Sequence, residues 1–211
     1  MSRMRRIVLV RHGETDGESS TRFHGSGDVP LSREGEAQMH EVAASFGATR
    51  FDRVVASPLR RSWRAAQIVG GGAPVRIEAD FREIDFGRWE GLTKEEIQAT
   101  DPVLYEDWQN RAPGFEFPNG EPRGQFRARV EAGLDRLLAG GAGRVLVVAH
   151  KGVVRAIAEK LLGEPLPEGE PELAGEVELY RESDGWKRGR HGSNPPSVDS
   201  AVSLEIEAPA A

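Results

Sequence analysis

Three short segments of the chain place histidine or arginine directly after a run of apolar residues. Residues 7–10 lead into Arg11-His12-Gly13-Glu14, residues 53–56 into Ser57-Pro58-Leu59-Arg60-Arg61-Ser62, and residues 144–149 into His150-Lys151-Gly152. A neutral imidazole is a nucleophile, and a guanidinium grips the oxygens of an anion in a planar fork. Each feature has an ordinary explanation when taken alone. A histidine at a strand end is more often a hydrogen-bonded structural residue, and an arginine in the first turn of a helix is usually a solvated charge. Ser57-Pro58 reads as a helix cap followed by a first helical residue. Arg60, however, opposes the dipole of the helix it opens, and a phosphate bound there would reverse the local field. Two strands that both end in histidine bring two imidazoles together if they are neighbours in a sheet. The combination points to a phosphate pocket.

Metal binding is the competing use of histidine. The five histidines, at positions 12, 24, 40, 150 and 191, form no i,i+4 pair and no compact His/carboxylate motif, although Asp16, Asp28 and Asp85 could reach such a pocket. No metal and no cofactor is expected. There is no Gly-rich phosphate loop with its lysine, which speaks against a nucleotide triphosphatase. The absence of cysteine excludes disulfides, a thiolate nucleophile and Cys-type zinc sites.

The elements that must position these residues follow from periodicity. The β-branched runs at 7–10, 53–56 and 144–149 read as strands buried on both faces of a parallel sheet, with a further strand at 75–77. Helices are expected over 32–47, from Ser57-Pro58 to the glycines at 70–72, after the Thr93-to-Glu96 capping box, and after Asp101-Pro102. Two more follow, one through Phe126, Val130, Leu134 and Leu137 and one over 153–162, and Asp184-Gly185 offers the turn of a terminal hairpin. Alternation of strand and helix predicts a three-layer α/β/α sandwich with a largely parallel central sheet. Residues 85–122 interrupt the alternation and read as a small helical lid on a single domain spanning 1–190, with 191–211 a flexible tail. Ligands of such sheets bind outside the carboxyl ends of the strands, where the three segments lie.

Composition narrows the partners. A net charge of −6 over 211 residues argues against general nucleic-acid binding. No apolar run approaches the ~20 residues of a membrane span. The basic start at Arg3, Arg5 and Arg6 has too short an apolar stretch behind it for a signal peptide, so a cytoplasmic location is expected.

Five blocks, VLVRHGET (8–15), TRFHGSGDVPLSREGEAQ (21–38), ASPLRRSWRAAQI (56–68), REIDFGRWEGLTKEEI (82–97) and VVAHKGVVRAI (147–157), together resemble the histidine phosphatase superfamily, in its order and spacing. The resemblance implies that His12 is the nucleophile forming a phosphohistidine, that Arg11, Arg60 and His150 hold the transferring phosphoryl oxygens, and that Glu83 protonates the departing oxygen. It places Arg22 and His24 on the substrate side. Glu83 taken without the resemblance reads as a surface carboxylate paired with Arg82 or Arg88, and Trp89, Glu90 and Gly91 as packing and turn residues. The chain departs from the family pattern at Glu18, where asparagine is common, at Lys151, where glycine is common, and at Pro122, which replaces a serine. Lys151 either adds a cation to the substrate pocket or points to solvent. The REIDFGRWEG segment is similar to the phosphatase branch, so hydrolysis of a small phosphorylated substrate is expected, with mutase-type transfer or a silent phosphate-binding protein as the alternatives. Tyr105, Trp108, Phe115 and Phe117 either wall a site for a bulky leaving group or simply pack the lid.

Overall fold

The computed structural model describes residues 4–18 and 21–189; the expected tail at 191–211 lies outside them. Six strands and six α-helices follow in the order β1 (Arg6–Arg11), α1 (Arg33–Phe46), β2 (Arg53–Ala56), α2 (Arg60–Val69), β3 (Val75–Ile77), α3 (Lys94–Thr100), α4 (Pro102–Gln109), α5 (Arg123–Ala139), β4 (Arg144–Ala149), α6 (Lys151–Leu162), β5 (Glu176–Glu182) and β6 (Gly185–Arg188). They form one sheet in the order β3-β2-β4-β1-β5-β6. The pairings β1–β4, β2–β4 and β2–β3 are parallel, and β5 and β6 add an antiparallel hairpin at the β1 edge. The expected α/β sandwich with its terminal hairpin is therefore the fold.

The period of two in a strand explains the layers. Ile7, Leu9, Val145 and Val147 point to one face, where Phe126, Val130 and Leu134 of α5 and Val153, Val154 and Ile157 of α6 meet them. Val8, Val10, Leu146 and Val148 point to the other, against Met39 of α1 and Ala65, Ala66 and Val69 of α2. Both faces of β1 and β4 are covered, which is why these strands read as continuous apolar runs rather than alternating ones. Ser32 caps α1 through a bond from Gly35 N at 3.0 Å, and the Thr93–Glu96 capping box opens α3. No helix among the described residues is long and apolar enough to cross a membrane.

The segment between β3 and α5 builds its own small core. Trp89, Ile97, Tyr105 and Phe115 are buried there, with Phe23, Phe86, Trp108 and Phe117 packed around them. The rings meet edge to face, Phe86 and Phe117 at 4.7 Å and Phe23 and Trp108 at 5.3 Å between centroids. Of the two readings of the lid aromatics, packing is the one this cluster supports. Asp101 closes it by accepting from Trp89 Nε1 at 3.0 Å and from Arg88. Truncating Trp89 to alanine in this cluster is expected to destabilise the protein by about 3–5 kcal/mol in urea unfolding. The half-exposed Trp63 (41%) gives a Trp63→Ala variant that stays within about 1 kcal/mol of the parent.

Candidate active site

Parallel register sets Arg11 opposite Ala149, so the next residues, His12 and His150, leave the carboxyl edge of the sheet side by side. Both are buried, and their rings lie edge to face with centroids 5.1 Å apart. His12 Nδ1 is 2.7 Å from the carbonyl of Gly13. A carbonyl can only accept, so Nδ1 carries the proton and Nε2 presents its lone pair. Burial, and then the charges of Arg61 and Arg11, push the His12 pKa well below its ordinary value, so the ring is neutral at neutral pH.

His150 is held from the neighbouring strand end by Ser57. The Ser57 hydroxyl accepts from Leu59 N at 3.3 Å and lies 2.7 Å from His150 Nε2. That hydroxyl can give its own proton to Nε2, which places the ring proton of His150 on Nδ1. That atom is buried and has no hydrogen-bond partner, and neither has Nε of Arg11. A buried donor left unpaired costs about 1–3 kcal/mol. With Nδ1 protonated, these are two buried donors around the His12 ring, an arrangement that suits a ligand rich in acceptor oxygens. The serine was expected as a helix cap; instead α2 begins at Arg60 with no side-chain cap, and Ser57 is free to orient His150.

The arginine that meets the imidazole is Arg61, not Arg60. Arg61 is fully buried, and its Nε donates to His12 Nε2 at 3.2 Å. Its Nη1 donates to the carbonyl of Gly27 at 2.6 Å, and its Nη2 to those of His24 and Gly25, each at 2.7 Å. Arg60 has a side chain 60% exposed and is turned onto Asp28, with Nε 3.1 Å from Oδ2. The reason is helical register. One residue is about 100° of rotation, and Arg61 shares its face with the buried Ala65 and Val69, whereas Arg60 falls on the exposed side. The i, i+4, i+8 spacing of 61, 65 and 69 was the signal that would have found it.

Glu83 reaches the same place from the segment after β3. Its carboxyl oxygens accept from Ile84 N and Gly152 N, both at 3.0 Å. Burial raises its pKa, outweighing those two hydrogen bonds and the nearby Arg61 and Arg11, which act to lower it. Position 152 must be glycine for this contact, since a Cβ there would come within 2.5 Å of Glu83 Oε1. A cleft of about 350 Å³ opens beside Glu83, lined also by Ser26, Arg82, Asp85, Glu121 and Arg129.

The remaining expected residues are placed differently. Arg22 holds loop to lid, its Nη1 bonding the carbonyl of Gly91 at 2.8 Å and Glu96 at 2.9 Å, with Glu18 beside its Nε. His24 points its Nε2 at the carbonyl of Gly17 and offers its own carbonyl to Arg61. Neither side chain bonds to the His12 cluster. Glu18 is exposed and paired with Arg22, turned away from the site. Lys151 is half-buried at the first turn of α6 and has no hydrogen-bond or ion-pair partner among the described residues; burial and then the charge of Arg11 lower its pKa. Among the described residues no group of three or more His, Asp or Glu is arranged to hold a metal ion.

A neutral imidazole whose lone pair faces a guanidinium, a second cationic side chain and a buried carboxyl converge at the carboxyl edge of a parallel sheet, an arrangement suited to handling phosphate. Residues 7–188 match the model of the histidine phosphatase superfamily, branch 1, and the chain belongs to that superfamily. It is 33% identical over 167 residues to the adenosylcobalamin/α-ribazole phosphatase of Salmonella typhimurium, covering 76% of this chain and 81% of the relative. It is 34% identical over 175 residues to the glucosyl-3-phosphoglycerate phosphatase of Mycobacterium tuberculosis, covering 78% of each. The solved structure of mycobacterial glucosyl-3-phosphoglycerate phosphatase complexed with VO3 superposes with a TM-score of 0.76 at 30% identity, covering 88% of this chain and 97% of that one.

Arg61→Ala is expected to lower turnover of a phosphate ester by about 10²–10³-fold, the scale of losing one preorganised donor to the transition state. Arg60→Ala should stay within about fivefold of the parent, as befits an exposed ion pair. Steady-state kinetics of the two variants side by side check the register.

Proposed function

We propose that the protein is a phosphomonoesterase that hydrolyses a small phosphorylated metabolite of the cytoplasm through a phosphohistidine on His12. The observation that carries this reading is the pair of buried side-chain nitrogens without partners, His150 Nδ1 and Arg11 Nε, around the His12 ring, whose Nε2 lone pair is held by Arg61. A phosphoryl group in that space accepts from both. Arg61 Nε, which in the free site donates to the same lone pair, turns to a phosphoryl oxygen and releases the nucleophile. The three groups then stabilise charge spread over the phosphoryl oxygens in the transition state.

In the first step the Nε2–P bond forms as the P–O bond to the alcohol breaks, and Glu83 delivers its proton to the departing oxygen. In the second, water attacks the phosphohistidine and its proton passes to the Glu83 carboxylate. Phosphate leaves, His12 recovers its lone pair and Glu83 its acid form. The raised pKa of Glu83 suits it to donate, and the lowered pKa of His12 keeps the nucleophile unprotonated. Activity is therefore expected to hold on the acid side, where His12 stays neutral, and to fall as pH rises through the pKa of Glu83.

Lys151 is the group proposed to contact the substrate beyond its phosphate. Its unpaired ammonium beside Arg11 suits a second anionic group on the alcohol. The Lys151→Ala variant should raise KM about tenfold for an ester carrying a carboxylate and leave p-nitrophenyl phosphate unchanged, the difference being one charge-assisted hydrogen bond.

The deciding experiment measures turnover of p-nitrophenyl phosphate and of an alkyl phosphate, with and without chelator, and traps the acid-labile phosphoenzyme. Glu83→Ala should cost about 10²–10⁴-fold on the alkyl ester, whose leaving oxygen needs the proton, and far less on p-nitrophenyl phosphate. No turnover across a panel of phosphate esters, or full activity in His12→Ala, overturns the proposal in favour of a silent phosphate-binding protein. Exchange of phosphate between two phosphoglycerates instead of release to water overturns the hydrolytic half.

A further inference from the structure

Glu90 belongs to the turn that follows Trp89, outside the phosphate site, and reads at first as one of that turn's packing residues. Its carboxylate does more than close the turn. Oε1 accepts from Ser26 N at 2.7 Å and from Phe86 N at 3.1 Å, and Oε2 accepts from Gly27 N at 3.3 Å. Two of these three donors sit in the 24–27 loop, and the carbonyls of the same loop are the ones that grip the guanidinium of Arg61. The loop lies directly on the carboxylate. A Cβ at Gly25 would fall 2.4 Å from Glu90 Oε1 and 2.2 Å from the carbonyl of Ile84, so no side chain fits between them.

A continuous chain of hydrogen bonds thus runs from Glu90 through the loop amides to the loop carbonyls, on to Arg61, and ends at His12 Nε2. We infer that Glu90 is a positioning residue for the phosphoryl-transfer site: it fixes the 24–27 loop, and the loop sets where the Arg61 guanidinium meets the phosphoryl oxygens. The inference rests on the phosphatase reading for its kinetics but on phosphate contact alone for its binding. Glu90 also supplies negative charge that favours the cationic form of buried Arg61, after Glu83 and ahead of Asp28. A carboxylate that only stabilised its own turn would need Phe86 N and nothing from the loop.

The test compares Glu90→Gln and Glu90→Asp with the parent and with Asp101→Asn, which loosens the same lid at the Trp89 indole without touching the loop. The readouts are kcat and KM on p-nitrophenyl phosphate, the dissociation constant of inorganic phosphate by calorimetry, and the urea midpoint. In Glu90→Gln the amide NH2 faces backbone donors, so the loop loses part of its hold. Phosphate affinity should fall by about tenfold, the scale of one charge-assisted contact. The kcat should fall by about 10- to 100-fold, as for a catalytic group displaced by a fraction of an ångström. Glu90→Asp keeps the charge and should recover part of both, while Asp101→Asn should lower the urea midpoint and leave phosphate affinity at the parental value. Parental phosphate affinity in Glu90→Gln, or an equal loss in Asp101→Asn, overturns the inference. A parent that binds phosphate but cleaves no ester removes the phosphatase reading, while the fall in phosphate affinity still decides the role of Glu90.

Discussion

A buried guanidinium is the constraint around which the rest of the site is arranged. Arg61 has no exposed surface, and an ion taken out of water in this way is tolerated only when its donors are matched. The match comes from three carbonyls of the 24–27 loop and one imidazole lone pair, at 2.6–3.2 Å. The loop is therefore bound to α2, the register of α2 is fixed with Arg61 inward, and the lid is tied to the loop through the carboxylate of Glu90. Burial lowers the pKa of Arg61 to about 10, which still leaves it cationic at neutral pH. The loop carbonyls hold both Nη atoms before any substrate arrives, so in the proposed reaction only Nε has to exchange the His12 lone pair for a phosphoryl oxygen.

The same dryness acts in opposite directions on the other ionisable groups. It disfavours protonation of His12 and His150 and disfavours ionisation of Glu83, because in each case it penalises the charged form. The neighbouring arginines reinforce the first effect and oppose the second. For Glu83 burial wins, so one environment favours the unprotonated imidazole of His12 and shifts the carboxyl of Glu83 toward its acid form. Separating the roles of two groups by environment alone is how acid and nucleophile coexist at a single pH.

Much of this was legible in the sequence, and what was not failed for identifiable reasons. The strands at 7–10 and 144–149 announced themselves because both faces are covered, and their neighbouring positions in the sheet put His12 beside His150. Glu83 was reached only through family resemblance, since nothing local says that Gly152 will come to it from a distant helix. Arg60 was chosen over Arg61 by an argument about the helix dipole, which does not distinguish adjacent residues of a first turn; the spacing of Arg61, Ala65 and Val69 does. Ser57 looked like a cap because Ser-Pro usually is one, and its partnership with His150 depends on β2 and β4 being paired. Non-local carbonyl contacts such as those of residues 24–27 leave no periodic trace in a sequence.

The disposition of the cations around the site bears on selectivity. Arg60 is engaged by Asp28, and Arg22 is shared between Glu96, Glu18 and the carbonyl of Gly91. Arg61 has its donors directed at the loop and at His12. Of the cationic side chains assigned to the site by sequence, the one with no partner among the described residues is Lys151, and its ammonium is held near Arg11 without a compensating acceptor. A like-charged neighbour at partial burial is an unfavourable arrangement that an anion relieves. In the proposed reaction the phosphoryl group satisfies Arg11 and His150 close to His12, whereas Lys151 stands one residue further along, on the first turn of α6. On the proposed reading, lysine in place of the commoner glycine changes the charge offered to the alcohol portion of a substrate, while the contact of Gly152 N with Glu83 remains.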